Sequence, residues 1–369
     1  MKLSSGFIKL ILFYLVSLLG LVALISFFNP NYLSESTWVG SNGEMCLRKV
    51  TEAEQLELES LGTLPENGLI RKSGFCFPAI WGNWESLLAG RYPREAIFRP
   101  TVSLMVLGLC LLLIFLNIKW NLLQKYLWLW ALALLFIGLN LGFGKEDVGG
   151  WQFVPFHRWG GLLLTGFFII ITMLGSFPVG YLMSWLISQR YLPMVSKLIL
   201  WVTDLIRSVP LITLLLFSHY LLPLVFPNAL GGESGAIPRA LFVFLLFGGS
   251  YLCEILRSGL ATLPKGQAEA SYSLGLSPWQ AYAFVLMPQS IRVSLPSIVG
   301  TFVGLSKDAT LLGVLSLHEL MGVARNIASH PKWNGFDLEP VVFAAVVYLV
   351  ICRGLGEIGN RLIEINKVN

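Results

Sequence analysis

Three sets of ionisable residues sit inside stretches that are otherwise apolar. Asp204 and Arg207 are three apart, Glu254 and Arg257 repeat that spacing, and Lys307 and Asp308 are adjacent. Residues three apart share a helical face, so the first two pairs either neutralise themselves or present both charges to a common partner. A charge at mid-bilayer costs roughly 2.5 to 3.5 kcal/mol on insertion scales, which is why such groups face a cavity or a partner. In a low-dielectric cavity a carboxylate accepts from an ammonium group and an arginine donates to a carboxylate. Asp204 and Asp308 are therefore candidate acceptors and Arg207 a candidate donor, with Thr301 and Thr310 near Asp308 in sequence. Gly300 and Gly304 have the small-x-x-x-small spacing that lets a second helix approach closely.

Bond-making chemistry has no comparable signal. Gly144-Lys145 lacks the rest of a phosphate-binding G-x-x-x-x-G-K-S/T loop, and His318-Glu319 is followed by Gly322 where a zinc-protease helix needs its second histidine. No G-x-S-x-G occurs, and the four histidines have no metal-site spacing. No metal or cofactor is expected on this chain.

The elements that must position these residues are membrane helices. Of 369 residues 55% are hydrophobic and only 13% charged, against about a quarter in soluble domains, and the mean hydropathy is +0.70. The 26 Lys and Arg with 21 Asp and Glu cannot coat a soluble surface of this size. The net charge of +5 reads as basic cytoplasmic loops, with no nucleic-acid partner. Runs of about 20 apolar residues occur near 7–28, 102–118, 126–143, 160–187, 198–226, 238–256, 293–315 and 340–363, which predicts an all-α bundle of about eight spans. The first is expected to be an uncleaved anchor, since no small-residue cleavage site follows it.

Lys119, Lys125, Arg190, Lys197, Arg257, Lys265, Arg292, Arg361 and Lys367 mark alternate connections as cytoplasmic, which puts both termini inside. The loop 29–100 is then external in spite of its basic residues, because long loops cross largely regardless of charge. Of five cysteines, Cys46 and Cys76 alone lie outside the expected spans, and both fall in this loop. An oxidising compartment would let them pair, the alternative being two free thiols. Cys110, Cys253 and Cys352 read as buried apolar residues.

The connection 257–292 is built as two short helices. Residues 267–274 are helix-compatible and stop at Gly275, which tolerates a left-handed backbone. Ser277 can cap a second helix, Pro278 suits its first position, and Gln280 completes a capping-box spacing. The mix of Glu269 with Tyr272, Leu276 and Trp279 suits either a groove on another protein or a membrane surface.

Here the residues carry a resemblance. Glu269-Ala270, Gly275 six residues after Glu269, and Leu286-Met287-Pro288-Gln289 resemble the E-A-A, glycine and L-P-Q signature of ABC importer membrane subunits. More closely, residues 264–311 resemble the polar amino acid uptake permeases, in which P-K-G-Q, E-A-A, L-G, L-P-Q and K-D-T-x-L follow in that order. Ser271 departs from the second alanine of that pattern and Ala309 from its first threonine, both as small-for-small changes. Upstream, Trp159-Gly160-Gly161-Leu162 belongs to the match, and 204–211 is similar to the family's E-x-x-R-G-x-P-L. The N-terminal addition, with its GRYPREAIFRP at 90–100, resembles the M-type permease of general L-amino acid ABC transporters.

The resemblance implies domains at 1–158 (a three-span extension) and 159–369 (an ABC permease core with its coupling loop at 257–292). It implies coupling to an ATPase dimer through Glu269, Ala270, Gly275 and Pro288, with ATP and magnesium bound by that partner. It also implies an external substrate-binding protein, a homologous sister permease, an amino acid substrate and the bacterial inner membrane. An ion-coupled carrier or channel would also use buried Asp and Lys residues but gives no reason for the capped loop. An importer of another small amphoteric solute, such as an opine, fits the same motifs.

Overall fold

The computed structural model describes residues 47–49, 69–71, 77–116, 122–142, 153–188, 193–225, 235–330, 333 and 337–368. The expected first span and the candidate disulfide cysteines Cys46 and Cys76 lie outside them. The chain divides into two compact units, one of Leu88–Gly322 with Ile351–Asn369, the other of Met1–Leu87 with Val323–Val350.

The second unit holds, among its described residues, a short antiparallel ladder, β1 (Leu47–Lys49) with β2 (Leu69–Arg71), in which Arg48 faces Ile70. The rest of the described elements are helical, as the all-α expectation has it. In the first unit α1 (Phe98–Leu116) and α2 (Leu122–Leu141) form an apolar pair tied by one polar link. Asn140 donates to Ser103 Oγ at 2.8 Å, and Tyr92 donates to the Asn140 carbonyl at 2.7 Å. Burial pushes the Tyr92 phenol up to about 12, so it keeps the proton that this bond requires.

Helix α3 (Gly161–Ser188) is apolar on every side, as a helix surrounded by protein and lipid must be. It packs along α6 (Ala236–Ala261), where a side-chain carbon on Gly180 would meet Leu252 Cβ at 2.7 Å and the Gly249 carbonyl at 2.8 Å. A core of Tyr92, Phe136, Trp159, Phe167, Phe168, Leu215 and Phe244 joins α2, α3 and α6. The start of α3 is pinned by backbone contacts: Gly160 N–H donates to the Ala89 carbonyl at 3.0 Å and Gly161 N–H to the His318 carbonyl at 2.9 Å. Gly90, at φ +69°, lies so close to Gly160 that neither position has room for a side-chain carbon.

The expected span 198–226 is not one helix. Here α4 (Pro193–Ser208) and α5 (Leu211–Leu216), the latter continuing through a π-turn at Phe217–Leu221 to Val225, are bent by 105°. Pro210 is the cause: it has no N–H to extend α4 and its ring drives the preceding residue out of helical conformation. After α6, the connection contains α7 (Gly266–Ser273), and a helical rod then runs from Pro278 to α8 (Met287–Asp308) and a 3-10 turn at Ala309–Leu315. The helix that carries the seventh span thus starts at 278, ahead of the apolar run at 293, because Ser277 and Pro278 initiate a helix that continues into α8. Two more helices follow, α9 (Leu320–Ala328) and α10 (Leu338–Val368). Glu319 caps α9, accepting from Met321 N–H at 2.8 Å and Gly322 N–H at 2.7 Å.

Among the described residues four helices are long and apolar enough to cross a membrane, or five spans if the bent pair counts as one. Cys253 is fully buried, as an apolar residue would be, whereas Cys352 is half-buried. Two glycine substitutions separate crowded from open positions. Gly90→Ala forces a side chain into the Gly160 contact at a left-handed backbone and is expected to cost at least about 1 kcal/mol, lowering the melting temperature in detergent by a few degrees. Gly300→Ala, with nothing within 4 Å of the added carbon, is expected to leave it unchanged or raised.

Candidate functional site

The connection between α6 and α8 is rigidly terminated at both of its turns. Helix α7 ends in a Schellman motif: Gly275, at φ +78°, donates to the Tyr272 carbonyl at 2.9 Å, and Leu276 N–H reaches the Ser271 carbonyl at 3.2 Å. Ser277 and Gln280 make the full capping box, with Ser277 N–H on Gln280 Oε1 at 2.9 Å and Gln280 N–H on Ser277 Oγ at 3.4 Å. Ser271, which stands in place of an alanine, is buried and bonds the Gln267 carbonyl at 2.6 Å, so the small substitution fits.

Aromatic side chains seat this connection on the end of α3. Trp279 meets Trp185 at 5.0 Å, and Tyr282 meets Tyr181 at 5.5 Å, over a buried cluster of Leu252, Leu256, Met287 and Ile298. Three polar links bind it to its neighbours. Gln289 donates to Gln267 Oε1 at 3.2 Å, Ser290 to the Leu256 carbonyl at 2.8 Å, and Ser294 to the Ile255 carbonyl at 3.1 Å. Outward, Glu269, Ala270 and Pro288 are exposed beside Tyr272, Leu274, Trp279 and Phe284. Leu274 is 82% exposed and Phe284 71%, an apolar surface on a segment that is otherwise polar.

The charged pairs of α4 and α6 form one cluster. Glu254 Oε2 lies 3.0 Å from Arg207 Nη1 and 2.8 Å from Arg257 Nη2, while Asp204 is a looser 3.8 Å from Arg207. A single carboxylate therefore holds two arginines on two helices, and Arg207 also lies 5.9 Å from the Tyr251 ring. The i, i+3 spacing on both helices signals each pair, but which pairs meet depends on the bend at Pro210, which spacing does not encode.

Helix α8 carries the other group. Val293, Pro296, Ser297, Gly300, Thr301, Gly304, Lys307 and Asp308 fall on one side at helical spacing, all exposed or half-exposed. Its other side, Ser294, Leu295, Ile298, Leu305 and Ser306, is buried. The expected helix contact at Gly300 and Gly304 is absent within the described chain, since both glycines face open space. It is Gly359 of α10 that takes the close approach, against Val299. Thr301 donates to the Ser297 carbonyl at 3.0 Å and Thr310 to the Lys307 carbonyl at 2.9 Å, leaving the lone pairs of both hydroxyls free to accept. Thr301 and Asp308 share this face and Thr310 begins the next turn. Among the described residues no ion pair or hydrogen bond joins them to Asp204 and Arg207. No group of His, Cys, Asp or Glu there could hold a metal ion.

Residues 176–355 match the family described as binding-protein-dependent transport system inner membrane component. The chain is 31% identical, over 79% of its length and 78% of the relative's, to the inner membrane amino-acid ABC transporter permease protein YhdY of Escherichia coli K12. It is 36% identical to the glutamate/glutamine/aspartate/asparagine transport system permease protein BztC of Rhodobacter capsulatus, over 53% of this chain and 45% of that one. A crystal structure of an amino acid ABC transporter with histidines aligns with a TM-score of 0.47 at 24% identity, covering 55% of this chain and 91% of that one.

The cross-helix pair has a measurable signature. A double-mutant cycle of Arg207→Met and Glu254→Gln, read by unfolding in detergent, is expected to show a coupling of about 1 kcal/mol, modest because both side chains keep roughly a third of their exposure. A coupling indistinguishable from zero would remove the link between α4 and α6.

Proposed function

The chain belongs to the family of binding-protein-dependent transport system inner membrane components, and from that premise we propose that it carries amino acids across the inner membrane as one half of a two-permease path. It is a membrane-spanning permease subunit of an ABC importer and makes or breaks no bonds itself. The amino acid cargo is supported by the relatives' names and by the open face of α8, where Asp308 supplies an acceptor for an ammonium group and Thr301 and Thr310 supply neutral ones. Asp204 and Arg207 line the inner end of the same path.

One observation carries the coupling half of the proposal: a doubly capped cytoplasmic segment that exposes Glu269 among Tyr272, Leu274 and Phe284 and runs without a break into α8. A flexible linker would dissipate a push from a partner, whereas a capped segment transmits it. Glu269, Ala270, Gly275 and Pro288 form the docking surface for an ATPase dimer that binds ATP and magnesium. Binding of ATP there favours one arrangement of the path over the other, because the ATPase states bind the segment differently. An external binding protein delivers the amino acid and a sister permease closes the path. Eight spans with both termini in the cytoplasm, a 1–158 extension and a 159–369 core complete the arrangement.

Purification in mild detergent from the native membrane tests it. An ATPase is expected to accompany the wild type and to drop away from Glu269→Ala and from Gly275→Pro, whose ring cannot adopt φ +78°. Both variants are expected in the membrane at normal levels. Retention of the ATPase by both, or ATP-independent uptake driven by protons or sodium, would replace this reading with an ion-coupled carrier.

A further inference from the structure

The segment 90–100, GRYPREAIFRP, divides by burial into residues that hold the fold and residues that face outward. Tyr92, Ala96 and Arg99 are buried, and the Arg99 guanidinium lies 5.3 Å from the centre of the Tyr92 ring. Arg91, Arg94 and Glu95 between them are exposed. Gly90 pairs in antiparallel fashion with Trp159, which brings the segment beside a second exposed pair, His157 and Arg158. Arg91 and Arg158 are each one residue from that bridge, so their Cα atoms stand within about 13 Å of one another. The screening length at moderate salt is about 8–10 Å, so their fields overlap. Glu95 is the one carboxylate in 88–100 and 153–160, against the exposed Arg91, Arg94 and Arg158. Basic residues ordinarily collect on the cytoplasmic side, and the topology proposed above puts these outside.

The backbone under these side chains is fixed. Pro93 accepts from Ala96 N–H at 3.0 Å, which closes a 3-10 turn at Arg94–Ala96. A second 3-10 turn, Phe156–Arg158, is closed by Arg158 N–H on the Pro155 carbonyl at 3.0 Å and seated by buried Trp159 against Phe167. Both segments are tied to the outer end of the path: Gly161 N–H reaches the His318 carbonyl, and Leu320 N–H reaches Thr165 Oγ1 at 3.1 Å, just beyond the 3-10 turn that ends the α8 rod. We propose that Arg91, Arg94 and Arg158 form a docking platform at the mouth of the path for an acidic face of the external binding protein. Fixed guanidinium forks match carboxylates two bonds at a time, and holding them in place beforehand lowers the ordering cost of docking. Opposite charge across the contact also speeds encounter and fixes register. The inference rests on the importer reading above and names the surface that its delivery step uses.

The test uses the assembled permease–ATPase complex in nanodiscs and the external binding protein purified from the same cells, read by its stimulation of ATP hydrolysis. The double reversal Arg91→Glu with Arg158→Glu is expected to raise the binding-protein concentration for half-maximal stimulation by about tenfold or more. The corresponding pair of lysine substitutions is expected to stay within about threefold of wild type. In the wild type, raising salt from about 0.05 M to about 0.5 M is expected to weaken stimulation severalfold, and poly-L-glutamate to compete with the binding protein. An unchanged half-maximal concentration in the reversal would overturn the assignment. So would a wild type indifferent to both salt and poly-L-glutamate, which decides the matter where the reversal does not assemble. An effect of the reversal confined to nanodiscs of anionic lipid would give the arginines to headgroups and overturn it as well. A wild-type complex that the binding protein does not stimulate would overturn the importer reading, and this inference with it.

Discussion

A bilayer offers no water to a polar group, so every polar atom within it must be satisfied by the protein or must border a wet path. Many of the polar side chains in these helices obey the first alternative, although the hydroxyls of Thr172, Ser176 and Ser250 on α3 and α6 are buried with no partner among the described residues. Thr165, Thr203 and Ser306 return their hydroxyls to carbonyls one turn back on their own helices. Ser290 and Ser294 cross to carbonyls of α6. Glu254 bridges Arg207 and Arg257, and with Asp204 beside Arg207 the cluster holds two carboxylates for two guanidiniums, which leaves neither helix carrying an isolated charge. On α8 one side is buried, and the other lines up hydroxyls, glycines and two charges that meet no ion-pair partner among the described residues.

Glycine has two opposite uses in these helices. Where α3 crosses α6, Gly180 and Gly249 let backbones touch, and that contact fixes a wall. On α8, Gly300 and Gly304 meet nothing among the described residues, and there the missing side chains leave an open wall. Identical residue types at similar spacing therefore serve packing in one place and clearance in another. Only the position of the neighbouring helix decides between them.

That contrast marks how far the sequence can be read. Local chemistry was legible: the apolar runs place α1, α2, α3, α6 and α10, and the Gly275, Ser277, Pro278 and Gln280 pattern specifies two turns that the structure contains bond for bond. Such features depend on residues within a few positions of one another. Features set by distant neighbours were not legible. Pro210 sits in a run apolar enough to pass for one span, and the 105° break appears only once the chain on both sides finds its packing. Glu254 was visible as a partner for Arg257, but its contact to Arg207 joins two helices. Trp279 read as a surface residue, and it does keep 45% of its exposure, yet it also meets Trp185 of α3 edge to face, far away in sequence.

The rod from Ser277 to Asp308 is not uniform along its length, and the differences have a mechanical consequence. Its lower part is clamped three times, by Gln289 to α7 and by Ser290 and Ser294 to α6, and it is seated on the aromatic cluster of α3. Its upper part carries Thr301, Lys307 and Asp308 on the open side. Pro296 lies between the two and lacks the N–H that would bond one turn back, so the backbone ladder is weakest there. A displacement applied to the capped segment is therefore shared by α6, α7 and the lower part of α8 as one body, because separating them would break these hydrogen bonds. The upper part follows through a softened joint. The open face can thus change its tilt without disturbing the clamps below, the property that a path opening first to one side and then to the other requires of its wall.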